Sequence, residues 1–203
     1  MEHNAIQGRF TGCLFLLPLL AYSTGNAFFE MASAGAANPH LLRAGALLWV
    51  LNALTVVAIA IVLYPMLHRY SPRAAMAYGS ARVMEAVLLL VGMFCLLAGN
   101  SLQQAGLESV IVREFAVTIH RISYQVAMLI LGLGSLSFCR VLYRSGLLPA
   151  FWAIWGFAGY LLLAAGAVAE LCGWSFGLYF SLPGGLFELA LGIRLLVRGW
   201  NKL

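Results

Sequence analysis

The residues best placed to do chemistry are Arg82, Glu85 and Glu188. Arg82 and Glu85 are three positions apart, a spacing that puts two helical side chains on one face. They stand at the mouth of an apolar run, and Glu188 lies deep in the last apolar run. Ionisable groups in such surroundings are expensive and persist when they are paired or used. A guanidinium between two carboxylates can bind a small molecule, hold a proton, or clamp two helices in register. Two acids on one base leave one negative charge to be balanced by a proton or by Arg194, which follows Glu188 by about one and a half turns. Depth links the three residues. Counted from Tyr78, Glu85 lies about 10 Å along its helix at 1.5 Å per residue. Counted from Arg194 to Arg198, Glu188 lies roughly 9–15 Å from the same end.

A second group gathers toward the opposite end. Tyr22, Asn26 and Glu30 recur every four residues, a polar stripe along one helix face. His120 and Tyr124 open the fourth apolar run on that side, and Glu170 closes the fifth. Together they could line an outer polar pocket, with ordinary interfacial polarity as the plainer reading. His120 with Glu30 and Glu170 has none of the helical spacings of a metal site, so no metal is expected there. No catalytic residue and no cofactor is expected: the chain carries no phosphate-binding loop, dinucleotide fingerprint or nucleophile elbow. Cys13, Cys95, Cys139 and Cys172 all lie in apolar runs and form no C-x-x-C, which reads as buried thiols.

These groups need elements to hold them, and composition says which. Of 203 residues, 63% are hydrophobic and 9% charged. A water-soluble chain of this length could not hide so much apolar surface, so its solvent is lipid. The net charge of +5 therefore points to basic helix ends at a membrane surface, and no nucleic-acid partner is expected. The seven acids are all Glu, which excludes aspartyl intramembrane proteolysis and Asp-containing triads. Apolar runs predict six helices, at about 10–30, 44–65, 79–99, 119–140, 149–170 and 176–198, in one all-α transmembrane domain over 1–203. Each is near the ~20 residues that span ~30 Å. None shows the alternation of a membrane barrel.

Of the twelve Lys and Arg residues, nine fall on one side and only Arg43, Arg113 and Arg121 on the other. This predicts cytoplasmic N and C termini and a multi-pass protein of a cell inner membrane. Tyr64-Pro65 is expected to close the second helix, and Leu107 to Phe115 to form a short interfacial helix. Tryptophans, Trp49 among them, are expected at the lipid–water boundary. Pro183-Gly184-Gly185 could break the last helix beside Glu188, as at transporter sites, or simply start it.

A set of motifs runs through the whole chain: Tyr64-Pro65, Arg82-Val83-Met84-Glu85-Ala86, Leu142-Tyr143-Arg144-Ser145-Gly146-Leu147-Leu148-Pro149, Trp155-Gly156, and Leu182-Pro183-Gly184-Gly185-Leu186-Phe187-Glu188. In these it resembles the bacterial integral membrane family catalogued as domain of unknown function 4386. The resemblance implies a six-helix bacterial inner-membrane protein and no activity. It also implies that the Arg/Glu and Pro-Gly-Gly-Leu-Phe-Glu elements belong to one shared design.

The expected function is binding or transport of a small or lipophilic molecule through the Arg82, Glu85 and Glu188 centre. The alternatives are a structural or interaction subunit with a charge clamp, and an intramembrane enzyme built on His120. The partners expected are the lipid bilayer and a small or lipophilic ligand. Sequence leaves the oligomeric state open.

Overall fold

The structure is a computed structural model, and it describes residues 2–33, 39–105 and 110–200. The described residues form six helices: α1 (Glu2–Ser33), α2 (Pro39–Tyr70), α3 (Pro72–Gln104), α4 (Val110–Ser145), α5 (Ala150–Leu171) and α6 (Gly177–Arg198). No strand occurs among the described residues. All six helices are long and apolar enough to cross a membrane, so the chain is an all-α, multi-pass membrane protein.

Several helices run past the ends set by their apolar runs. Tyr64-Pro65 does not close α2, which continues through Pro65 to Tyr70. The proline forfeits one backbone bond, but the added turns place Met66 and Leu67 in the core. α3 starts at Pro72 instead of near residue 79. Ser71 provides the cap: its Oγ accepts from the Ala74 amide at 3.3 Å, and proline is at home in the first turn. The new turns bury Ala74, Ala75 and Tyr78. The interfacial helix expected over Leu107 to Phe115 is described only in part. Its first residues lie outside the described ones, and from Val110 onward it is the opening of α4. α4 stops where Gly146 takes a φ of +63°, a left-handed conformation that glycine adopts without strain.

Each helix packs on the next, and α6 closes back on α1, so the six form a ring. In the hydrocarbon of a bilayer, helices gain little from burying apolar surface against each other; close backbone approach and polar bonds hold them. Small residues supply the approach. A Cβ on Gly12 of α1 would stand 2.6 Å from the Leu196 amide of α6. One on Gly132 of α4 would stand 2.7 Å from the Tyr160 carbonyl of α5, and one on Gly134 would collide with Ala81 of α3. The interior is filled by side chains reaching across the ring. Phe15 of α1 meets Phe138 of α4 at 6.3 Å between ring centroids, and Tyr78 of α3 stacks on Phe138 at 5.1 Å. This larger core lies toward the basic end, where Leu67, Leu142, Leu147 and Leu195 are fully buried. A smaller cluster surrounds Trp49, Met93, Leu96 and Ala116 toward the other end.

Candidate functional site

The close crossing of α5 and α6 sets up the site. Sequence allowed Pro183-Gly184-Gly185 to break or to start the last helix, and it does neither: α6 runs unbroken from Gly177 to Arg198 with Pro183 inside it. The two glycines differ in role. Gly184 sits against Gly159 of α5, where a Cβ on Gly159 would come within 2.9 Å of the Gly184 Cα. A Cβ on Gly185 would meet nothing. Three residues past Gly184, the Phe187 ring fills the notch left by Gly156, packing edge-on to Trp155 and Tyr160. Four residues past Gly184, Glu188 lies on the same helix face. There it meets Tyr160, the residue after Gly159, whose hydroxyl donates to Glu188 Oε1 at 2.7 Å.

Arg82 reaches this carboxylate from across the ring. Its Nη2 donates to Glu188 Oε1 at 2.9 Å. Its Nη1 donates to Glu85 Oε2 at 3.1 Å, and its Nε to the Tyr78 hydroxyl at 3.0 Å. The guanidinium also stands 5.3 Å from the Tyr78 ring centre. The structure therefore unites the three charges expected from sequence and adds two tyrosines. Arg82, Glu188 and Tyr160 each lie about 15 Å along their helices from the basic end, at 1.5 Å per residue.

Burial is uneven. Arg82 is 2% exposed and Glu85 4%, whereas the Glu188 side chain is 13% exposed. Glu188 Oε1 takes both hydrogen bonds, and Oε2 accepts none from the described residues. The cation that sequence offered as a counterweight is engaged elsewhere: Arg194 lies over the Trp152 ring and donates to the Gly199 carbonyl at 3.3 Å. With both carboxylates ionised, the centre carries one unit of negative charge beyond what Arg82 balances.

Tyr78 and Tyr160 were missed by sequence reasoning. Tyr78 left a usable signal, one turn before Arg82 on the same face. Tyr160 left only its hydroxyl in an otherwise apolar run, and the Gly159 contact that aims it appears only in three dimensions.

The outer group divides. Tyr22 and Tyr124 stack across the ring at 5.6 Å between centroids. Asn26 Oδ1 accepts from Trp49 Nε1 at 3.0 Å, and His120 stacks on Trp49 at 5.5 Å. Trp49 is thus a buried organiser of this cluster. Glu30 is exposed. Glu170 accepts from the Gly177 amide at 2.9 Å and so serves the turn into α6. Among the described residues no three His, Cys, Asp or Glu side chains stand together as metal ligands would.

No curated protein and no solved structure matches the chain. A family model does, and its match takes in every residue of the buried centre. The chain belongs to the family described as Domain of unknown function (DUF4386), whose model matches residues 10–199.

Proposed function

We propose that this membrane protein binds or transports a small lipophilic molecule, and that Arg82, Glu85 and Glu188 form the charged centre of that step. It would act in a cell inner membrane with its basic end toward the cytoplasm. The observation that carries the reading is the surplus carboxylate: two acids share one guanidinium, and Glu188 keeps one oxygen without a donor among the described residues. In a medium that penalises uncompensated charge, that oxygen is a place for a cationic group or a proton. A ligand with an apolar body and a positive centre matches both the surroundings and the charge.

The test is ligand-dependent stabilisation of purified protein against a panel of lipophilic cations, with tetraphenylphosphonium and aliphatic tertiary amines as probes. Glu188→Gln preserves shape and can still accept from Tyr160, but it removes the charge. The expected result is loss of the thermal stabilisation that panel members give the wild type, with folded yield nearly unchanged. Loss of folding with no separable binding would remove this reading.

A second reading is favoured by one observation. Arg82 uses all three of its nitrogens, tying α3 to α6 with Tyr160 of α5 as a third party. That is the geometry of a structural clamp. A clamp tolerates Arg82→Met combined with Glu85→Leu and Glu188→Leu, since nothing charged is then left unpaired. A binding centre does not survive that triple change.

A further inference from the structure

We propose that an anionic phospholipid of the surrounding leaflet occupies a cleft at the basic end of the bundle, with its phosphate among Arg73, Arg140 and Arg144. This inference is independent of the Arg82 centre. The cleft has a volume of about 950 Å³ and lies over the end of α4, with α3 and α5 as its walls. It exists because α3 and α5 each pack on α4 and not on one another. Small residues, Ala77 on one wall and Ala158 on the other, keep it open.

Its two ends differ in chemistry. Arg140 and Arg144 stand one turn apart on α4, and Arg73 faces them from the first turn of α3. Among the described residues no acidic side chain lines the cleft. None of the three arginines has an ion-pair partner among the described residues. Deeper in, the lining turns apolar at Leu136, Ile154 and Phe157. From Arg144 back to Leu136, α4 covers about 12 Å at 1.5 Å per residue. That length takes a head group and the first carbons of an acyl chain.

The occupant follows from charge complementarity and position. Arginines with no ion-pair partner and no carboxylate beside them among the described residues select a phosphate, which guanidinium groups bind in a bidentate manner. An apolar far end at Leu136, Ile154 and Phe157 selects a phosphate that carries acyl chains. Basic pockets between transmembrane helices bind anionic lipid head groups on this principle.

The test uses the intact protein in nanodiscs of phosphatidylcholine with increasing phosphatidylglycerol of the same acyl composition. Lipid retained after gentle detergent extraction is then read by native mass spectrometry. The wild type should retain phosphatidylglycerol in preference to phosphatidylcholine. Arg73→Gln/Arg140→Gln/Arg144→Gln should weaken that preference at least about tenfold, because each guanidinium gives up a charge-assisted hydrogen bond to the phosphate. The matched control Arg9→Gln/Arg69→Gln/Arg198→Gln removes the same charge outside the cleft and should keep it. Ala158→Phe leaves every arginine in place and fills the groove, so it should also lower retention, which covers the case of a triple variant that folds poorly. Equal retention of the two lipids by the wild type, or an equal loss in the control, would overturn the proposal. So would displacement of the lipid by millimolar inorganic phosphate, because the occupant would then be a free anion.

Discussion

At the residue scale, the Glu188 carboxylate is where side chains of α3, α5 and α6 meet. Its Oε1 receives an arginine and a tyrosine while Oε2 receives nothing from the described protein, so the group is anchored yet not saturated. The Tyr160 hydroxyl is the smaller of the two anchors and carries no charge. Tyr160→Phe should therefore cost about 1–2 kcal/mol in unfolding experiments and leave the fold intact, in keeping with one interhelical hydrogen bond in a membrane. A loss of about 4 kcal/mol or more, on that same scale, would mean that Tyr160 does more than orient the carboxylate. The charges were legible in the sequence because expense marks them: an arginine and two glutamates in apolar runs at matching depth have few ways to coexist. The tyrosines were not legible. A phenol is cheap in an apolar run, and its partner was set by the packing of another residue.

At the element scale, the α5–α6 crossing explains why a proline and two glycines precede Glu188. Pro183 gives up a backbone bond inside a helix that continues regardless. Gly184 lets the α5 backbone come within contact distance, and Phe187 locks the pair by filling the Gly156 notch. Gly159→Ala should thus cost about 1–3 kcal/mol, because its Cβ meets backbone atoms that cannot turn aside. Gly185→Ala should be neutral or stabilising by up to about 1 kcal/mol, because it meets open space and favours the helix. Thermal unfolding of the two variants in one detergent checks this, and the opposite order would mean that the crossing is not what positions Glu188. Sequence showed that the Pro-Gly-Gly stretch mattered but not how. Breaking and starting a helix both look alike in one dimension, and the third option depends on a glycine in another helix. The helix ends were misjudged for a related reason. Tyr64-Pro65 carries the residue types of a stop, but buried Met66 and Leu67 carry α2 past it, and buried Tyr78 draws the start of α3 back to Ser71-Pro72.

At the scale of the whole molecule, the ring converts matching depths into contact. Because α1 closes on α6, α3 and α6 face one another across the interior, and side chains about a hundred residues apart in the chain meet midway along the bundle. Composition and the spacing of apolar runs were enough to show a six-helix membrane protein. They could not show the order of neighbours around the ring, which small residues at each crossing decide. Nor could they show the cleft over α4, since it arises where two walls fail to touch.

Arg82 is indispensable to this interior, whereas Glu188 is a charge the fold can spare. Removing Glu188 leaves Arg82 paired with Glu85, whereas removing Arg82 leaves two buried carboxylates with no base. Unfolding of Arg82→Met and Glu188→Gln, measured side by side in the same bilayer, tests this most directly. Arg82→Met is predicted to lose about 3–5 kcal/mol or fail to fold, the usual cost of stranding a buried charge. Glu188→Gln is predicted to lose no more than about 1–2 kcal/mol, the cost of weakened hydrogen bonds. Equal losses, or a greater loss for Glu188→Gln, would make Glu188 part of the scaffold and Arg82 no more than its equal.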